Sequence, residues 1–149
     1  MYDEKPFDKN WYSFKLNRAG IRYEVAICIQ TGYIVWYFGR YKAGKFNDLQ
    51  LARQEFTSML LPGKKAIADK GYSDARYFIN PCTFFVNRKQ LKNMMSRHEN
   101  VNQRIKTFQI MRQMFRHRWK KHNISFWAIV KLVQLKLQNG EPLAVVSLL

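Results

Sequence analysis

Apolar residues recur at two spacings along this chain, and the change of spacing divides it. Residues 11–17, "WYSFKLN", alternate in the manner of a strand, and Arg18-Ala19-Gly20 reads as a turn. In "IRYEVAICIQ", Ile21, Tyr23, Val25, Ile27 and Ile29 share one face. Thr31-Gly32 reads as the next turn and "YIVWYFGRY" as the next strand, so the first third predicts an antiparallel meander.

The period then lengthens. Asn47 or Asp48 suits an N-cap, and Leu51, Glu55, Met59 and Leu49, Phe56, Leu60 follow at helical spacings until Pro62-Gly63. Ala66-Ile67-Ala68 is a short apolar run bounded by turn signals, which predicts a brief buried strand with Asp69 at its C-terminal end. "SDARYFINPCTFFV" reads as irregular. A long helix is predicted over 88–114, with Leu91, Met94, Val101, Ile105 and Phe108 on one face. A last helix over 124–138 is apolar nearly all round and is expected to be buried; Asn139-Gly140 closes it. No repeat or linker divides the 149 residues, which predict one domain, 1–149.

An apolar fraction of 47% with 15% aromatic residues excludes a wholly disordered chain. No stretch reaches the roughly 18 uninterrupted apolar residues of a membrane span. The polar, acidic opening "MYDEKPFDKN" is unlike a signal peptide, so a soluble intracellular protein is expected. Cys28 and Cys82, with His98, His117 and His122, show no zinc-ligand spacing, and both thiols are expected to be free and buried. Charge changes the picture most. Lys and Arg total 26 against ten acids, a net +16, which favours a polyanion such as nucleic acid through counterion release.

So few acids make each one informative. A carboxylate at Asp69 either caps a turn or helps to hold a metal. Glu99 falls off the apolar face of its helix, and its neighbours at three and four residues are Met95, Ser96, Asn102 and Gln103, none of them basic. An exposed glutamate that merely supports its helix is the plainer alternative. Phosphodiester chemistry requires clustered carboxylates, because two Mg²⁺ ions about 3.5–4 Å apart flank the scissile phosphate. Two side chains hold only part of such a pair, so a third carboxylate is expected from a strand beside that of Asp69.

"GIRYEVAICIQTGYIVW", "FNDLQLAR", "PGKKAIADKGY", "RHENVNQRIKTF" and "QLKLQNGEPL", in that order, resemble the catalytic domain of DDE-type transposases. The group most resembled is the Harbinger-like DDE-superfamily endonucleases, over about residues 6–143. The resemblance implies an α/β, ribonuclease-H-like fold, a mixed sheet flanked by helices. It implies an Asp-Asp-Glu triad that binds Mg²⁺ or Mn²⁺ and cuts or joins DNA strands. By position Asp69 is the second acid and Glu99 the third, both catalytic and metal-binding. Asp48 matches an acid often found after the third strand, although an N-cap role suits it better. The first aspartate belongs to a short Asp-Gly context on the central first strand, upstream of "PFDKNWYSFK". This chain has no Asp-Gly pair, so it reads as lacking that strand at its N-terminus. Asp3 and Asp8 stand nearest in sequence but in polar surroundings. Loss of a central strand would leave sheet edges unpaired.

Basic residues bracket the proposed site: Lys70 beside Asp69, and Arg97, Arg104 and Lys106 around Glu99. Arg112, Arg116, Arg118, Lys120 and Lys121 crowd the junction of the last two helices. A solvated charged surface is the plain reading; a single sign of charge around the acids favours contacts to DNA phosphates, which position a duplex without reading its sequence. Two functions follow as expectations. One is a divalent-metal-dependent endonuclease or strand-transfer domain, impaired by the absent first aspartate. The other is a non-catalytic DNA-binding or protein-interaction module of the same descent. DNA is the expected partner in the nucleus, together with either a second copy or a separate DNA-recognition protein; no membrane is expected.

Overall fold

The computed structural model describes residues 8–14, 17–81, 88–113, 115 and 119–145. Within them the chain is a mixed α/β arrangement of three two-stranded ladders and four α-helices. β1 (Tyr12–Ser13) pairs antiparallel with β2 (Arg18–Ala19). Arg18 and Ala19 therefore lie in a strand, not in the expected turn. Asn17, just before them, takes φ +50°, a left-handed conformation that asparagine tolerates.

β3 (Ile21–Ile27) and β4 (Ile34–Lys42) form the longest ladder, an antiparallel hairpin. It is separate from β1–β2, so the expected meander is two hairpins. Gly20 joins them, donating to the Trp11 carbonyl at 2.9 Å and accepting from the Ala43 N–H at 3.1 Å. Arg22 faces Tyr41 and Tyr23 faces Gly39, which leaves Arg40 as the extra residue of a bulge, at φ +84°. Its guanidinium lies 4.8 Å from the Trp119 ring centre.

α1 (Asp48–Leu51) starts with a capping box. The Asn47 side chain accepts from the Gln50 N–H at 2.8 Å, and the Gln50 side chain accepts from the Asn47 N–H at 3.0 Å. Asn47 is thus the cap and Asp48 the first helical residue. The helix runs on through a π turn, Ala52–Phe56, and a 3₁₀ turn, Thr57–Met59. β5 (Ala66–Ile67) falls where a strand was expected, but it is half-buried and ends two residues before Asp69; it pairs in parallel with β6 (Phe78–Ile79), a strand that falls in the stretch read as irregular. Two residues are too few for a period to be visible.

α2 (Arg88–Lys106) is shorter than the predicted helix. The Thr107 N–H divides between the Gln103 and Arg104 carbonyls, and its hydroxyl also donates to Arg104 O at 2.7 Å. Such side-chain bonding competes with helix propagation. Phe108 is extended, and α3 (Gln109–Arg112) is a single turn; Met114 lies outside the described residues. α4 (Trp119–Gln138) begins earlier than expected and ends at Gly140, φ +121°, where the Glu141 N–H reaches back to Lys136 O at 3.0 Å.

The core joins α2 (Val101, Ile105) to α4 (Phe126, Ile129, Val130, Val133, Leu137) and Leu143. Tyr23, Val25, Ile34 and Tyr37 of the hairpin close it from one side. α4 is not buried all round. Ile124, Trp127, Leu132 and Leu135 are 48–65% exposed, because the hairpin and α2 cover only one side of the helix. Leu51, Ala52 and Phe78 are also buried, with Phe56 and Tyr72 against the Phe78 ring. No helix among the described residues is long and apolar enough to cross a membrane.

Candidate functional site

Glu24 lies mid-way along β3, alternating with Tyr23 and Val25, which face the core. Its carboxyl accepts from the Tyr72 hydroxyl at 3.2 Å. Three contacts fix Tyr72: its ring packs on Phe78 at 5.0 Å, its N–H donates to Asp69 O at 3.2 Å, and its carbonyl accepts from the buried Asn80 amide at 3.1 Å. Burial pushes Glu24 up to about 7; the Tyr72 hydrogen bond and Arg22 oppose the rise, and the charge of Asp48 adds to it. Tyr72 is pushed up too, first by burial and then by Glu24, Asp48 and Asp69. Three carboxylates from β3, α1 and the turn after β5 therefore act on one hydroxyl.

Asp69 is exposed, two residues past β5. One oxygen, Oδ1, accepts from the Gly71 N–H at 2.8 Å, an Asx turn. The turn-capping role thus occupies one oxygen and leaves Oδ2 unengaged. Glu99 is exposed on α2, and Oε1 accepts from the Gln103 amide at 2.7 Å, one helical turn on. The residue before it, His98, donates from Nε2 to the Val25 carbonyl at 2.8 Å. Its Nδ1 then faces the Asn102 amide, 3.4 Å away, as an acceptor. The turn of α2 that carries Glu99 is in this way bonded to β3 one residue from Glu24.

Other acids are engaged elsewhere. Asp48 pairs with Arg22 at 2.7 Å, and Glu55 accepts from the Tyr41 hydroxyl at 2.9 Å. Asp8 caps the short turn Lys9–Trp11 and pairs with Lys42 at 2.8 Å; Asp3 lies outside the described residues. Glu141 pairs with Lys136 at 3.5 Å and Arg104 at 3.9 Å. Asp74 is buried and holds two arginines, Arg53 at 2.8 Å and Arg76 at 3.0 Å, which draw its carboxyl well below the usual range. Among the described residues, no three His, Cys, Asp or Glu side chains gather as a metal cage would require.

The predicted cationic surface divides. Lys70, Lys106, Arg112, Lys120 and Lys121 are exposed. Arg97 is not on that surface. It is 5% exposed, with its guanidinium under the hairpin turn and bonded to the Ile29 carbonyl. Arg104 is half-buried and tied to Asn100 at 2.9 Å and to the Glu141 carbonyl, so it fastens α2 to the segment after α4. Arg116 and Arg118 lie outside the described residues. Cys28, expected buried, is half-exposed; Cys82 lies outside the described residues.

Sequence reasoning missed Glu24, Tyr72 as its partner, and Asp74. A signal existed for Glu24, the lone acid inside an otherwise apolar strand, "IRYEVAI". No protein-family model, curated protein or solved structure matches the chain.

Proposed function

We propose that the chain is a DNA-handling domain of the DDE nuclease type, ribonuclease-H-like in architecture, in which Asp69 and Glu99 offer oxygens to a divalent cation at a DNA phosphodiester. One observation carries this reading. Of the ten acids, all but Asp3 and Glu4 are described, and only Asp69 and Glu99 among those have carboxylates that neither form an ion pair nor accept from a tyrosine hydroxyl. In a chain with 26 Lys and Arg, two exposed carboxylates that form no ion pair among the described residues are available to something else. Their unengaged oxygens are the hard donors that Mg²⁺ or Mn²⁺ takes. Such an ion supplies Lewis-acid stabilisation of the phosphate. The chain's own residues supply the rest. Lys70 and Lys106, on the same segments as the two acids, attract and orient the phosphate backbone, and the Asx turn and the Gln103 bond hold the two carboxylates in place. A nuclear location follows from the DNA partner.

A second reading, a DNA-binding module without cleavage, is favoured because no three His, Cys, Asp or Glu side chains gather among the described residues. Nicking of supercoiled plasmid with Mg²⁺ or Mn²⁺, by the parent, Asp69→Asn and Glu99→Gln, separates the two. Metal-dependent nicking lost in both variants supports the nuclease. DNA binding without nicking, equal in all three proteins, supports the module. Folded protein that binds no DNA ends both.

A further inference from the structure

α4 has two apolar sides, and only one of them is covered. Phe126, Val130 and Val133 pack in the core, whereas Ile124, Trp127, Ala128, Leu132 and Leu135 are exposed. The exposed side chains fall in two adjacent rows along the helix. Ile124, Ala128 and Leu132 follow one another at four-residue steps, and Lys120 and Lys136 close this row at its two ends. In the next row Trp127 and Leu135 flank Lys131, again at four-residue steps. Such rows are the ridges, and the space between them the groove, through which one helix packs on another. From Ile124 to Leu135 the groove is about 16 Å long at 1.5 Å per residue, three turns of helix. Large apolar side chains exposed together, as opposed to singly, mark an interaction site.

Charge decides what fits there. α4 contains four lysines, Lys120, Lys121, Lys131 and Lys136, and no acid. Lys120, Lys121 and Lys131 enter no ion pair among the described residues, and the Lys131 ammonium rests 5.7 Å from the centre of the Tyr37 ring. A second copy of the chain, with the same four lysines on its own α4 and 26 Lys and Arg against ten acids, would set like charges against each other. A lipid surface takes up an apolar face as one continuous strip, but Lys131 stands between Trp127 and Leu135 within their row. A helix that carries carboxylates beside an apolar stripe answers both the groove and the lysines.

We propose that the outward face of α4 is a docking groove for an acidic amphipathic helix of another protein. The apolar side chains of that helix enter between the two rows, against Ile124, Trp127 and Leu135, and its Asp and Glu residues meet Lys131 and the lysines at the groove ends. Trp127 is the anchor, since a large aromatic side chain gains most when water is excluded around it. The core side of α4 keeps its packing, so docking requires no rearrangement of the domain. The proposal holds whether or not the domain cuts DNA.

The test uses the full chain and a fluorescent synthetic peptide of about 18 residues, five turns of helix, with leucines on one face and glutamates along both margins. A second peptide of the same composition, its leucines spread round the helix, controls for charge alone. Anisotropy is measured in about 0.15 M salt, where screening limits non-specific attraction to the basic chain. The first peptide is expected to bind more tightly than the second by about tenfold or more. Ile124→Gln, Leu135→Gln and Lys131→Glu are each expected to weaken it by about tenfold. Lys64→Glu, an exposed site away from α4 with the same change of net charge, should leave binding as in the parent. All three α4 side chains are exposed, so these variants should keep the parent's thermal midpoint. Equal binding of the two peptides, or a loss in Lys64→Glu as large as in Lys131→Glu, overturns the proposal. Self-association abolished by Leu135→Gln, seen by sedimentation, overturns it in favour of a second copy. Binding to vesicles of phosphatidylcholine and phosphatidylserine in equal parts, abolished by the same substitution, overturns it in favour of lipid.

Discussion

Tyr72 donates its hydroxyl to Glu24 at 3.2 Å, and this single bond joins the turn that carries Asp69 to the middle of β3. On the next residue of β3, the Val25 carbonyl accepts from His98, which brings in the turn of α2 that carries Glu99. Two consecutive residues of one strand thus organise both candidate acids, although neither acid touches the strand through its own side chain.

Glu24 makes the stability of this junction depend on pH. Its folded value, about 7, lies above the ordinary 4.5, so the fold binds the proton more tightly than the unfolded chain. The stabilisation is full below about pH 4.5 and is lost as pH rises through 7. Glu24→Gln removes this dependence. Urea midpoints for parent and variant should diverge from pH 5 to pH 8, with the parent falling faster. Tyr72→Phe, which removes a bond that favours the carboxylate, should move the loss to higher pH. Parallel curves for parent and Glu24→Gln would rule this out.

Asp74 is expected to matter more for stability than either candidate catalytic acid. Both arginines on its buried carboxylate and the Tyr77 and Phe78 N–H groups on its carbonyl fasten the π turn that follows α1 to the start of β6. Asp74→Ala should lower the thermal midpoint clearly, whereas Asp69→Asn, at an exposed side chain in no ion pair whose amide oxygen can keep the Gly71 bond, should change stability by no more than about 0.5 kcal/mol. The carboxyl lies below its ordinary range, so its contribution is present above about pH 4 and is lost as pH falls through the folded value. Equal midpoints for Asp74→Ala and Asp69→Asn would contradict this assignment.

The two sides of α4 should respond very differently to truncation. Leu137 is 2% exposed and Leu135 53%. Leu137→Ala is expected to cost about 2–5 kcal/mol and Leu135→Ala less than about 0.5 kcal/mol, as measured by chemical denaturation. A comparable loss at Leu135 would mean that the exposed side is covered in solution.

If DNA is the partner, the exposed cations should set the salt dependence of binding. Replacing Lys120 and Lys121 with alanine should lower the slope of log affinity against log salt by about 1 for each phosphate contact removed. Arg97→Lys, at a buried position, should leave that slope unchanged. A slope that ignores both lysine substitutions would exclude these side chains from the interface.

Much of the fold was legible where the pattern was long. The β3–β4 hairpin, the core side of α2 and the closure of α4 at Gly140 follow from alternation, helical spacing and a terminal glycine. β6 was not legible, because two residues in a ladder leave no period. The break at Thr107 was hidden too, since it turns on side-chain and backbone bonds that compete with the helix and not on hydropathy. At the candidate site, Asp69 and Glu99 could be singled out from their sequence context. Glu24 left only the trace of a lone acid in an apolar strand and Asp74 none, because what distinguishes them is burial and a partner 48 residues away for one and 21 for the other.

The order in which the chain gains its structure follows from how far apart its partners lie. β3 and β4 close across the short turn that holds Cys28 and Gly32, and β5 and β6 are separated by only ten residues. By contrast, α4 meets the hairpin through Tyr23–His122 and Ile34–Gln134, pairs 99 and 100 residues apart. Closing so long a loop carries an entropy cost before its contacts repay it. Docking of α4 is therefore the step expected to limit the folding rate. Substitutions at Phe126 or Val133 should then slow refolding, whereas those in the β5–β6 ladder should chiefly speed unfolding.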